Sequence, residues 1–160
     1  MEDYRVTLGS IYNLDLLVEH WLLMWKDEQA EHAERIERIE ASRELSRKWM
    51  IKKMLNNELI PFVANSSAGS IVGSGCILIR EDRLRLSTAQ LLYPYLLSMY
   101  TVPEHRNKGI GTMIVEAMIK WSIDQGYDRM ELHTSEQARK IFTKLGFKNT
   151  SEMFLKLFNG

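Results

Sequence analysis

The chain has 160 residues, 45% hydrophobic and 26% charged, enough for one globular domain over 1–160 with a substantial core. Lys plus Arg equals Asp plus Glu at 21 each, so no global field favours nucleic acid or an anionic membrane, and any anion must be held by local geometry. The lone cysteine, Cys76, excludes an internal disulfide and fits a reducing, cytoplasmic compartment; the N-terminus lacks a signal-peptide pattern, and no run reaches the ~20 apolar residues of a membrane span.

In chain order, YRVTL (4–8) alternates as a short strand does. Ser10 then stands as an N-cap for the amphipathic stretch IYNLDLLVEHWLLMWKDE. Eight of the fourteen residues from Glu31 to Glu44 are charged, which predicts a helix with a narrow buried stripe: Ile36 and Ile39, continued by Leu45, Trp49, Met50 and Met54. Two helices, over 12–28 and 32–57, are expected. LIPFVAN and SIVGSGCILIRED read as strands around the turn-rich NSSAG, with Cys76 a buried, inert thiol. DRLRLSTAQ is a polar connection. LLYPYLLSMYTV is the next strand, with regular pairing expected from Tyr95 because Pro94 has no N–H. A helix from Ile110 carries Ile114, Ala117, Met118 and Trp121 on its stripe and Gly126 as its C′ residue. RMELHT predicts a strand, SEQARKIFTKL a short helix with Ala138, Ile141, Phe142 and Leu145 on one face, ended by Gly146, and EMFLKL a closing strand. The order, helices then a β-meander then β-loop-α-β-α-β, describes a mixed α+β fold.

Two glycines interrupt PEHRNKGIGTM (103–113) where that helix begins. Glycine at a helix start is costly, so something is expected close to the backbone there: an anion, another segment of the chain, or the tight turn itself. A dinucleotide fingerprint fails, since Thr112, Met113 and Ile114 follow Gly111 without a third glycine, and GIGTM lacks the Gly-Lys-Ser/Thr of a Walker A loop. A strand, a basic loop and a helix N-terminus remain, whose unpaired N–H groups and positive dipole end suit a pyrophosphate. A turn on a structural helix is the plain alternative.

The stretch VPEHRNKGIG, followed about thirty residues later by ARKIFTKLGF, resembles the GNAT superfamily of N-acetyltransferases. Arg106, Gly109 and Gly111 match its Arg/Gln-x-x-Gly-x-Gly/Ala signature; Ala138, Gly146 and Phe147 match its Ala-x-x-x-Tyr-x-x-x-Gly-Phe ending. The residue-level likeness is confined to about 97–157. The resemblance implies a GNAT-like fold, with a central, mostly antiparallel sheet and a splayed strand pair flanked by helices, and acetyl-CoA as cofactor. It implies that the backbone of Tyr100 and Val102 meets the pantetheine arm, and that the thioester lies in the gap between that strand and RMELHT. The loop Arg106, Asn107, Lys108, Gly109, Ile110, Gly111 and Thr112 would take the pyrophosphate, largely through main-chain N–H groups, with Arg106 and Lys108 adding charge. Ser135 stands where many relatives carry a cofactor-touching Asn. No metal is implied.

The implied reaction is direct attack of a small molecule's neutral primary amine on the thioester, in a ternary complex. An alkylammonium of pKa near ~10 must first shed a proton. The oxyanion needs a donor, implied near Val102, and the departing thiolate needs a proton. Here the chain departs from its family: Phe142 replaces the Tyr that usually protonates the thiolate, and YLLSMYTV carries no carboxylate to act as base. Water, Ser135 or Tyr100 remain as donors. His133, whose unperturbed pKa lies near working pH, is either the base or a residue closing a hydrogen bond at a strand end. His105 reads as a solvent-facing loop residue, while His20 and His32 either line a cleft or decorate helices. Glu19, Glu28 or Glu31 could attract a cationic amine. Two further readings stay open: acetylation of a protein N-terminus or lysine, and a catalytically silent acyl-CoA-binding regulatory module, which Phe142 favours. MFLKLF allows a homodimer by strand pairing; core burial explains it as well.

Overall fold

In the computed structural model, which describes residues 3–158, the apolar and alternating runs form a five-stranded sheet in the order β1-β2-β3-β4-β5. Its strands are β1 (Tyr4–Leu8), β2 (Leu59–Ser66), β3 (Ile71–Glu81), β4 (Leu92–Thr101) and β5 (Glu131–Leu132). The helices are α1 (Leu14–Glu28), α2 (Ala33–Ala41), α3 (Arg43–Leu55), α4 (Ile110–Asp124) and α5 (Arg139–Lys144). The first four strands pair antiparallel, and β5 lies parallel to β4 after the crossover through α4. The mixed α+β architecture read from the sequence is the one observed. Among the described residues no helix is long and apolar enough to cross a membrane.

Each face of the sheet has its own core. On one, Ile110, Ile114, Val115 and Met118 of α4 and Phe142 of α5 pack on Phe62, Val72, Ile77 and Leu96. The glycines of β3 let α4 come close: a Cβ on Gly75 would strike Met99 and come within 2.8 Å of Met118 Cε, and one on Gly73 within 3.0 Å of Ile110 Cγ2. On the other face, Leu14, Leu17, Val18 and Leu22 of α1 and Met50 of α3 cover Leu59, Val63 and Cys76. Full burial of such side chains stabilises by about 1.5–3 kcal/mol each. Burial also pushes the Cys76 thiol up to about 12, which makes it as inert as expected.

Five elements differ from the sequence reading. The helix expected over 32–57 breaks at Ser42, whose hydroxyl donates to the Ile39 carbonyl at 2.6 Å and closes α2 before α3 begins. Pro94 sits inside β4, opposite Ile79. The Ile79 N–H is committed to Glu58 O at 2.8 Å, on the β2 side, so the 79/94 pair exchanges no bond and the missing proline N–H costs nothing. Strand 129–134 shrinks to Glu131–Leu132, and helix 135–145 to Arg139–Lys144. The closing strand expected over 152–157 finds no partner: Met153, Phe154, Leu155, Leu157 and Phe158 are exposed.

Candidate active site

β4 and β5 pair only at Tyr95–Glu131 and Leu96–Leu132, after which β4 runs on to Thr101 with an open edge. The parting has a local cause. Between Ser74 and Cys76 the β3–β4 register slips, so Gly75 faces both Ser98 and Met99, and Ser98 takes a left-handed φ of 59°. Such a bulge bends and twists its strand. A cavity of ≈ 990 Å³ opens at this place. It reaches from Ala138 and Phe142, on the α4–α5 face, to Trp21, Trp25, Leu45 and Trp49 on the α1–α3 face, with Ser98, Met99, His133, Thr134 and Ser135 between.

Ser98 is a residue the sequence reading missed. It is 8% exposed, its Oγ has no hydrogen-bond partner among the described residues, and it lines this cavity. A left-handed non-glycine residue costs about 1–2 kcal/mol and an unsatisfied buried hydroxyl about 1–3. A lone polar residue in the apolar run YLLSMY, opposite glycines, was the only signal in the sequence.

Along the open edge the backbone differs from expectation. The Val102 N–H donates to Val72 O at 2.9 Å, so it is not left for a ligand, and the Val102 carbonyl accepts from the His105 N–H at 3.0 Å. Because peptide groups alternate between the two edges of a strand, Tyr100, opposite Ser74, also faces β3, and the N–H of Thr101 faces the gap. The Tyr100 ring is turned away: it packs 4.9 Å from His20 and lies under the Arg106 guanidinium at 5.4 Å, outside the cavity lining. His20 is buried and shares a 2.7 Å hydrogen bond between its Nδ1 and Ser74 Oγ, so it belongs to the core and not to a cleft.

Beyond β4, the loop turns through Asn107 (φ 60°) and Gly109 (φ 80°) into α4, a conformation that aims successive N–H groups to one side. Gly109 is the N-cap, no side chain caps the helix, no acid lies in its first turn, and a Cβ at Gly109 or Gly111 would meet nothing within 4 Å. Buried Ile110 anchors this end, with Gly111 and Thr112 half-buried and Asn107 and Lys108 exposed. Arg106 is tied back as a strut: its Nε donates to Thr101 O at 2.8 Å and its Nη2 to Asp27 of α1 at 2.6 Å.

At the end of β5, His133 is exposed and stands on the cavity wall. Ser135 Oγ accepts the Ala138 N–H at 3.3 Å and its carbonyl accepts the Arg139 N–H at 3.1 Å, so it leads into α5. Of the acidic residues on the α1 side, Glu28 lines the cavity, whereas Glu19 accepts from Arg43 at 2.5 Å. Hydrogen bonds from Arg43 and Lys26 hold Glu40 down to about 2. His105 bonds Tyr4 Oη through Nδ1 at 2.9 Å instead of facing solvent, and His32 and Glu31 are exposed near the start of α2. Among the described residues no three of His, Cys, Asp and Glu gather as a metal cluster would need.

This arrangement of parted strands beside an open helix end agrees with a family-level match: the acetyltransferase (GNAT) family model aligns with residues 18–147. The chain belongs to the GNAT family. A curated relative, N-acetyltransferase 8B of Homo sapiens, is 31% identical over 101 residues, 61% of this chain; the match spans 42% of that relative's length. Among solved structures, a GCN5-related N-acetyltransferase from Ralstonia eutropha JMP134 superposes with TM-score 0.86 at 20% identity, over 97% of this GNAT chain and 99% of that one. A predicted acetyltransferase with acetyl-CoA from Clostridium acetobutylicum gives TM-score 0.81 at 23% identity, over 99% and 96%. At these identities the two structures bear on the GNAT fold, and the splayed pair read from the motifs is part of it.

Proposed function

We propose that the chain is an acetyl-CoA-dependent N-acetyltransferase, one domain acetylating the primary amine of a small molecule by direct attack in a ternary complex. One observation carries this reading: the cavity crosses the sheet where β4 and β5 part, and β4 leads through the glycine loop into an uncapped helix N-terminus. A donor and an acceptor can thus reach one point from opposite faces. The residues fit the donor, since two glycines leave open space over backbone donors and no acid lies in the first turn of α4. The N–H groups from Asn107 to Thr112 hold the pyrophosphate, each bond to a charged acceptor contributing ~1.5–3 kcal/mol. Arg106 stiffens the loop through Asp27 and Thr101. The Thr101 N–H takes the place first given to Val102, at the pantetheine arm and the developing oxyanion. Acetyl-CoA supplies an activated acetyl thioester, and the Clostridium acetobutylicum neighbour carrying that compound supports the assignment.

His133, exposed at the cavity wall, takes the ammonium proton through water. Ser135 accepts a bond from Ala138, which leaves its own hydroxyl hydrogen for a ligand. Trp21, Met24, Trp25, Leu45 and Trp49 with the single carboxylate Glu28 favour an amine carried on an apolar body over a polyamine. A reducing, cytoplasmic setting accords with the buried Cys76 thiol.

The test is thiol release from acetyl-CoA against a panel of amines: an arylalkylamine, spermidine, an aminosugar and a peptide N-terminus. The arylalkylamine is expected to give the highest kcat/KM. Acetyl-CoA binding with no amine accelerating release would instead favour a regulatory module, for which Phe142 is the specific observation. The proposal extends to a homodimer in which the exposed segment Met153–Phe158 of one copy pairs with the edge of β5, bonded on one side only, in the other. Sedimentation of the wild type as a dimer, and of Phe154→Glu/Leu155→Glu as a monomer, is expected; a wild-type monomer contradicts it.

A further inference from the structure

The geometry points to Ser98 as the group that hands a proton to the departing sulfur, the role Phe142 cannot fill. The inference rests on the acyl-transfer reading and adds a residue to it. Its hydroxyl is buried and unpaired among the described residues, and the residue that carries it lines the cavity where β4 leaves β5. A buried polar atom without a partner on a strained backbone calls for a partner that arrives with the substrates. The other candidates are placed differently. Tyr100 lies between His20 and Arg106, outside the cavity, and Ser135 is exposed and turned into α5. Phe142 lines the same cavity but presents only carbon. The titratable groups on the cavity wall are His133, Glu28 and Tyr95, and no carboxylate comes from β4 or β5.

A hydroxyl serves here as a relay and never needs to ionise by itself. As the amine nitrogen bonds the carbonyl carbon and the C–S bond breaks, Ser98 Oγ takes the surplus proton from nitrogen. Its own hydrogen passes to sulfur. The amine becomes the amide, the thiolate becomes the thiol, and Ser98 ends as it began, with no further reactant consumed.

Ser98→Gly tests this without confusing it with strain, since glycine accepts a φ of 59° readily. Ser98→Ala is a second variant that keeps a Cβ. In both, kcat is expected to fall at least about tenfold, while KM for the amine and Kd for acetyl-CoA move less than about twofold. Two readouts separate relay from structure. The thiol of bound CoA, titrated by the ultraviolet absorbance of its thiolate, is expected to ionise about one pH unit higher in the variants, because a donated hydrogen bond to the thiolate is gone. With an acetyl thioester of an electron-poor aryl thiol, whose anion leaves without a proton, the defect is expected to shrink to about twofold. An unchanged thiol titration, or equal losses with both thioesters, overturns the role of Ser98. Failure of the underlying reading is visible separately, as wild-type protein that binds no acetyl-CoA, and overturns both.

Discussion

Gly111→Leu sets folding and ligand binding against each other. Gly111 is the second residue of α4, has an ordinary backbone, and a Cβ there would meet nothing within 4 Å. Leucine is a better helix former than glycine by up to about 0.8 kcal/mol, so the variant is expected to melt no lower than wild type. Acetyl-CoA affinity moves the other way. If the pyrophosphate rests on the first-turn N–H groups, a side chain in that space removes one such contact of ~1.5–3 kcal/mol, or about 10- to 150-fold in Kd. The family signature accepts alanine at this position, so Gly111→Ala serves as the control and is expected to bind nearly as wild type. Gly109 is a poorer choice, since its φ of 80° makes any side chain strained with or without ligand. Calorimetric titration with acetyl-CoA, paired with thermal melts, reads both quantities. A Gly111→Leu protein that melts normally and binds within twofold of wild type would refute a phosphate site over this turn.

Stability is expected to fall on mild acidification because of His20. Burial lowers its proton affinity and outweighs the attraction of Glu19, so below the usual histidine value near 6.5 the unfolded chain takes up a proton that the folded one refuses. The contribution is complete above that pH and is lost as pH falls, with a slope of at most about 1.4 kcal/mol per unit. His20→Gln is expected to flatten the denaturant-midpoint curve between about pH 6.5 and 5, and equal slopes in the two proteins would contradict this. Arg106→Ala and Asp27→Ala are each expected to weaken acetyl-CoA by about 2- to 5-fold, in line with a half-exposed ion pair of at most about 1 kcal/mol that braces the loop. A tenfold greater loss in Arg106→Ala than in Asp27→Ala would mean that the guanidinium touches phosphate directly.

What was legible in the sequence was what local pattern decides. The stripe of α4 from Ile110 to Trp121, its stop at Gly126 (φ 85°), and the loop glycines all concern residues within a turn or two of one another. What was not legible depends on distant partners. Pro94 tolerates a central strand only because the Ile79 N–H already faces β2, a fact of register between three strands. The extra residue at Ser98–Met99 exists only relative to Gly75. The same slip leaves the Ser98 hydroxyl without a partner among the described residues, and the turn of the Val102 N–H toward Val72 is likewise a matter of pairing with β3. The motif reads Arg106 as added charge on the loop, and only the fold brings Asp27 to it. The apolar run 152–157 predicts a strand, but the segment forms none and its side chains are exposed, because a strand needs a pairing edge that a local pattern does not supply.

The most direct measurement is the structure of the chain with acetyl-CoA diffused into its crystals. The pyrophosphate is expected on the N–H groups between Asn107 and Thr112, with the thioester between Thr101 and Leu132 and its sulfur within hydrogen-bond reach of Ser98. Density for the coenzyme elsewhere on the molecule, with the head of α4 bare, would contradict the account.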